Sequence, residues 1–124
     1  MGEIETTKNP ELGLTVNKAK NEISSLDLIN WVKDYYSGVV TELILWDFSE
    51  ADISKITNDE LKELIQVVRK TAIKRNGGKT ALVFSKNIGY GLGRMYGALS
   101  EIEGIPFEYR SFRDIKDAEK WLGI

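Results

Sequence analysis

Two stretches of this chain hold residues of the kind that do chemistry. The first runs from Asp47 to Asp52 and places Asp47, Ser49, Glu50 and Asp52 close together. Carboxylates at such density can serve acid–base catalysis, provided the fold sets them at a specific spacing. The second runs from Asn87 to Gly97, with glycine at 89, 91, 93 and 97 and with Tyr90 and Arg94 between them. It follows the apolar run Ala81–Phe84 and opens a helix. A glycine-rich turn between strand and helix is where phosphates bind, because the backbone N–H groups there can approach closely. The chain has no histidine and no cysteine. That removes disulfides, thiol nucleophiles, histidine or cysteine zinc sites and every serine–histidine triad. Any enzyme built here would have to work with carboxylates, lysine, tyrosine or a cofactor.

Each stretch also has a structural reading. A dinucleotide fingerprint needs a third glycine where this chain has Arg94, and it belongs to the first strand–helix turn rather than a late one. A P-loop fails because no Gly-Lys-Ser/Thr follows. Gly89, Gly93 and Gly97 are spaced by four and share one helix face. Interior glycine costs about 0.5–1 kcal/mol relative to alanine, so three of them call for close packing as their reason. Leu92, Met95, Leu99 and Ile102 then supply the apolar contacts. Asp47 at the end of one strand and Ser85-Lys86 at the end of the next are similar to a phosphoacceptor site. The acidic pair that would hold Mg²⁺ there is missing. Glu50 and Asp52 read as a solvated loop, and no cofactor or metal is called for.

The elements that position these residues alternate. Glu3–Lys8 reads as a short strand, Asn9–Gly13 as a turn, and Leu14, Val16 and Lys18 as the alternating face of a half-exposed second strand. Ser24 with Asp27, and Thr57 with Glu60, form capping boxes, with Ile23/Leu28 and Ile56/Leu61 as staples. Gly38 stops the first helix, and Asn76-Gly77-Gly78 closes the second after Leu61, Leu64, Ile65, Val68 and Ala72. Leu43–Trp46 and Thr80–Phe84 read as strands covered on both faces. The third helix spans Asn87 to about Gly104, a last strand includes Phe107 and Tyr109, and Asp114 caps a final helix with Ile115, Ala118 and Leu122 inward. The order β-β-α-β-α-β-α-β-α predicts an α/β fold with one mostly parallel five-stranded sheet and about four helices. Ligands on such sheets sit beyond the carboxyl ends of the strands, here the Asp47–Ile56 and Ser85–Gly89 loops.

Composition narrows the classes. The 124 residues fit one domain over 1–124, with 42% hydrophobic and 29% charged residues. The formal net charge of −2 does not favour nucleic acid. The cluster Arg69, Lys70, Lys74, Arg75 and Lys79 reads as a solvated helix end. No apolar run approaches a membrane span, and the polar start Met1–Glu5 points to the cytoplasm. Trp31, Tyr35, Trp46 and Trp121 fall on core faces. Tyr36, Tyr90 and Tyr96 are less obviously core, and an exposed pair beside Arg94 would suit a protein interface. A homodimer would follow if a helix left an apolar face uncovered.

The chain resembles the SpoIIAA-like branch of the STAS superfamily, the fold of anti-sigma-factor antagonists, from about residue 12 onward. The resemblance lies in Leu45-Trp46-Asp47, in Ser49–Asp52, in Gly78–Ala81, in Tyr90–Tyr96, and in Phe112–Ile115 followed by Ala118 and Trp121-Leu122. It implies a β-sheet with helices over it and a regulatory role. The antagonists carry a phosphorylatable serine in an Asp-Ser-x-Gly motif after the third strand. Here Asp47-Phe48-Ser49-Glu50 and Ile53-Ser54-Lys55 have no glycine after either serine. The expectation is therefore a non-enzymatic regulatory or interaction module that binds a protein partner through the Asp47–Ile56 loop and the start of the next helix. The alternative is a binder of a small ligand, a nucleotide or a lipid, in a cleft near Asp47, Asn87, Tyr90 and Arg94. The candidate binding residues are Asp47, Ser49, Asp52, Asn87, Tyr90 and Arg94, and none is expected to be catalytic.

Overall fold

The computed structural model describes residues 2–71, 75 and 77–124. Among them the chain forms β1 (Glu3–Asn9), β2 (Leu14–Glu22), α1 (Ser25–Ser37), β3 (Leu43–Asp52), α2 (Asn58–Thr71), β4 (Lys79–Val83), α3 (Asn87–Ile102), β5 (Glu108–Phe112) and α4 (Ile115–Leu122). The order matches the one read from the sequence. One sheet runs β1-β2-β3-β4-β5, with β1 antiparallel to β2 and every later pair parallel. A parallel neighbour requires the chain to return to its starting end, and α1, α2 and α3 make those returns. No helix among the described residues is long and apolar enough to cross a membrane.

The helix starts follow the capping chemistry. Ser24 accepts from the Asp27 N–H at 3.2 Å while Asp27 accepts from the Ser24 N–H at 2.9 Å. Thr57 and Glu60 repeat this at 3.1 and 2.9 Å. Asp114 caps α4, and Gly123 closes it in the left-handed region at φ 81°. Gly38 does end α1, but in an extended conformation, its N–H bonded to the Tyr35 carbonyl. Ala72, Lys74 and Asn76 lie outside the described residues.

Alternation along the strands divides the core in two. Ile44, Trp46, Phe48, Leu82 and Phe84 face α1, α2 and α3, whereas Leu45, Ala81 and Val83 meet Ala118 and Leu122 of α4. On the larger side Trp31, Trp46, Phe48 and Phe84 form a chain of ring contacts at 4.8, 5.1 and 5.2 Å. Such pairs add about 0.5–1.5 kcal/mol each beyond their burial. An apolar cavity of about 80 Å³ lies between this sheet face and the three helices.

Several expectations change. On β2 Leu14 is buried as expected, with Val16 partly so, in the smaller cluster, but Thr15, Asn17 and Ala19 are buried as well, because β2 is an interior strand covered on its other face too. Asn17 accepts from the Thr6 hydroxyl at 2.8 Å, and Thr6 in turn accepts from the Trp31 indole at 3.0 Å. Tyr36 and Tyr96 are core residues at 6% and 8% exposure, while Ile102 and Ile115 are exposed. Their aromatic bodies are buried while their hydroxyls stay within reach of Arg75 and Tyr109. Burial pushes the Tyr96 phenol up to about 12, and it also raises Tyr36 and Tyr109.

The largest correction is Arg75, which is 3% exposed rather than solvated. Its guanidinium donates to the Thr41, Glu42 and Lys79 carbonyls at 3.1, 2.9 and 2.7 Å and to the Thr80 hydroxyl at 2.6 Å. It also stacks on Phe107 at 4.3 Å. The side chain thus ties together the residues that lead into β3 and β4. A buried cation is tolerated when its donors are met in this way.

The glycines of α3 behave as packing residues. A Cβ at Gly89 would lie 2.8 Å from the Phe84 ring. One at Gly93 would collide with the same ring and lie 2.6 Å from the Ser111 hydroxyl, whereas Gly91 faces open space.

Two stability measurements follow. Gly93→Ala should lower stability by about 1–3 kcal/mol through overpacking, while Gly91→Ala should raise it by about 0.5–1 kcal/mol. Urea unfolding followed by far-UV circular dichroism separates the two. In the same assay Arg75→Met should cost about 1–3 kcal/mol, because it leaves the buried Thr80 hydroxyl without its partner and takes one donor from each of three carbonyls.

Candidate functional site

The carboxyl ends of β3 and β4 stand side by side, as the expected order required. Their shape differs from the expectation. β4 ends at Val83, opposite Asp47, but β3 continues to Asp52. The stretch expected as a loop from Asp47 is therefore strand for five more residues. The cause is β2, which runs on beside it. After an irregularity between Lys18 and Lys20, the register resumes with Lys20↔Glu50, Asn21↔Ala51 and Glu22↔Asp52. The Ile23 N–H closes the pairing on the Asp52 carbonyl at 2.9 Å. Phe48 and Ala51 keep packing on the core, so the extension is anchored from below.

A cleft of about 350 Å³ opens between this projecting strand and the start of α3. Phe48, Ala51, Ile53 and Phe84 line its apolar part. Its polar margin comes from Asp52 and Ser54 on one side and from Ser85, Lys86 and Asn87 on the other. Ile88 also lines it and is 63% exposed. The Asp52 carboxylate accepts from the Ser54 N–H at 2.8 Å, and the Ser54 hydrogen bonds hold its pKa below the ordinary range.

Of the six residues expected to form a site, Asp52 and Asn87 share the cleft and the other four do not line it. Asp47 accepts from the Ser49 N–H at 2.9 Å. Ser49 contributes its carbonyl, which accepts from the Ser85 hydroxyl at 2.8 Å. Tyr90 lies beneath the Arg113 guanidinium, 4.6 Å from ring centre to carbon. Arg94 is exposed one turn further along α3. Asp47, Asn87, Tyr90 and Arg94 do not line the inner cavity either. That cavity is also smaller than the roughly 150 Å³ voids known to take up benzene.

Lys86, Ile88 and Arg113 were missed. Arg113 donates to the Asn87 side-chain oxygen across the top of α3. It was visible only inside the segment Phe112–Ile115, and its neighbours come from a distant part of the chain. Ile88 carried a signal of its own, an apolar residue in the first turn of a helix whose core face lay elsewhere.

The carboxylates are set for ion pairing and capping rather than proton donation. Glu50 meets Lys18 at 2.7 Å, which lowers the acid's pKa and raises the lysine's. Glu60 accepts from the Thr57 N–H and from the Ser25 hydroxyl at 2.9 Å each, so it links the starts of α2 and α1. Those bonds lower its pKa. A general acid working near neutral pH needs the opposite shift. Among the described residues no group of three potential ligands could hold a metal ion.

Comparison with known proteins places the fold. The chain aligns with an uncharacterized DUF3478-family protein from Shewanella loihica PV-4 that has a SpoIIAA-like fold. The TM-score is 0.61 at 16% identity, covering 98% of this chain and 93% of that one. It also aligns with an anti-sigma factor antagonist from Mycobacterium paratuberculosis, with TM-score 0.56 at 14% identity over 100% and 96% of the two chains. No family model matches the chain, and no curated protein matches it. The fold is SpoIIAA-like, as the sequence motifs implied.

The lowered carboxylates have a pH consequence. A carboxylate whose folded pKa is depressed adds stability that is fully present above its unfolded value, about 4, and is lost as pH falls through the folded value. The thermal midpoint should therefore hold through neutral pH and begin to fall below about pH 5. Glu60→Gln should flatten part of that fall, which thermal denaturation across a pH series would read.

Proposed function

We propose that the chain is a non-enzymatic regulatory module that acts by binding a protein partner, and that the cleft at the carboxyl ends of β3 and β4 is its docking point. The observation that carries this reading is the cleft's make-up: an apolar floor of Phe48 and Phe84, a polar margin, and a large exposed aliphatic residue, Ile88, on its wall. Protein interfaces have this anatomy, an apolar centre that excludes water and a polar rim that sets register. The SpoIIAA-like fold supports the reading, since the similar Mycobacterium paratuberculosis protein is an anti-sigma factor antagonist. The absence of histidine and cysteine supports a role without catalysis. The partner need not read a phosphoserine, because neither Ser49 nor Ser54 stands in the Asp-Ser-x-Gly motif.

A photo-crosslinking residue at position 88, introduced in the source cell, tests this. A discrete crosslinked protein should form from position 88 and not from position 39, where Val39 is 78% exposed on the loop before β3. Ala51→Glu, which sets a carboxylate into the apolar part of the cleft, should abolish the product, while Ser49→Ala should leave it, because Ser49 engages its neighbour through the backbone carbonyl. Equal products from both positions, or no loss with Ala51→Glu, would count against the cleft.

A further inference from the structure

Around the first two turns of α3 the charge is one-sided. Lys86, Arg94 and Arg113 are exposed, and none forms an ion pair among the described residues. The first turn of α3 has no acidic residue, and its first carboxylate is Glu101, near the far end. Arg113 is held in place by the Asn87 side-chain oxygen and the Tyr90 ring. A guanidinium fixed in this way presents a planar fork suited to a carboxylate and loses little freedom on meeting one. Asp52, across the cleft from Lys86 and within its field, accepts from Ser54, and Asp114, next to Arg113 in the sequence, accepts from the Lys116 N–H at 2.7 Å. Lys86 lines the cleft together with Phe48, Phe84 and the exposed Ile88, and Arg113 reaches the cleft residue Asn87.

We propose that this surface receives an acidic segment of a protein partner, with one apolar side chain set into the cleft and flanking carboxylates against Lys86 and Arg113. The proposal rests on reading the cleft as a protein-docking point and adds the chemistry of what docks there. The apolar floor favours a peptide over a nucleic acid, whose backbone offers charge but no aliphatic group to bury. The chain as a whole carries a formal charge of −2, so the positive end is a local feature that orients an acidic partner as it approaches.

Selection of short random peptides against the whole protein tests this. Enriched sequences should place Asp or Glu beside Leu, Ile or Phe. A synthetic peptide of that kind should bind by fluorescence anisotropy and weaken as salt rises. The double reversal Lys86→Glu with Arg113→Glu should weaken it about tenfold and improve binding of the same peptide carrying Lys for Glu. Both sites are exposed, and circular dichroism checks that the variant folds. No enrichment, no acidic bias, indifference to the reversal, or an oligonucleotide that binds instead would each overturn the proposal. Peptides lost on Ile88→Glu but lacking acidic bias would overturn the partner's charge and leave the docking point standing.

Discussion

The contact between Phe84 and the bare face of α3 fixes most of what is distinctive in this molecule. The ring fills the space that side chains at 89 and 93 would need. It also stacks on Phe48, which joins it to Trp46 and Trp31. One aromatic series therefore runs from Trp31 on α1 to Phe84 under α3. The same two phenylalanines form the cleft floor. The position of α3 and the shape of the cleft are thus one constraint seen from two sides, and Lys86, Asn87 and Ile88 stand at the cleft because the glycines behind them allow it.

The opposite end of the sheet is built differently. Where β3 and β4 begin, the Arg75 guanidinium gathers carbonyls from the entry to each strand. Thr41 sits beside it, its N–H donating to the Tyr35 hydroxyl at 2.6 Å and its own hydroxyl 2.7 Å from that of Thr15. Polar groups there are paired among themselves and shielded by Phe107. At the carboxyl ends the polar groups line an open cleft.

Much of this was legible in the residues. Capping boxes at Ser24 and Thr57 depend on neighbours three positions away, so they read directly, and the strand–helix alternation followed from them. The spacing of Gly89, Gly93 and Gly97 disclosed a packed helix face, although what it packs on could not be read. The failures share a cause. Arg75 looked solvated because its acceptors are carbonyls, which every sequence has everywhere. The extension of β3 to Asp52 depended on β2 remaining beside it, and Arg113 acquires its neighbours only when β5 and α3 are brought together. Of the candidate site, the place was legible and the composition only a third so, since Asp52 and Asn87 share the cleft while Asp47, Ser49, Tyr90 and Arg94 do not line it.

The sheet also separates two apolar clusters of unequal size. The smaller joins Leu45, Ala81 and Val83 to Ala118 and Leu122, with Trp121 against Phe112. Helix α4, only eight residues long, touches none of the aromatic series on the other face. Its detachment would uncover the back of β3, β4 and β5 and leave the layer of three helices intact. Opening of this kind is a local event with its own free energy, below that of global unfolding. Amide protons in α4 should therefore exchange with solvent sooner than those beneath α1 to α3.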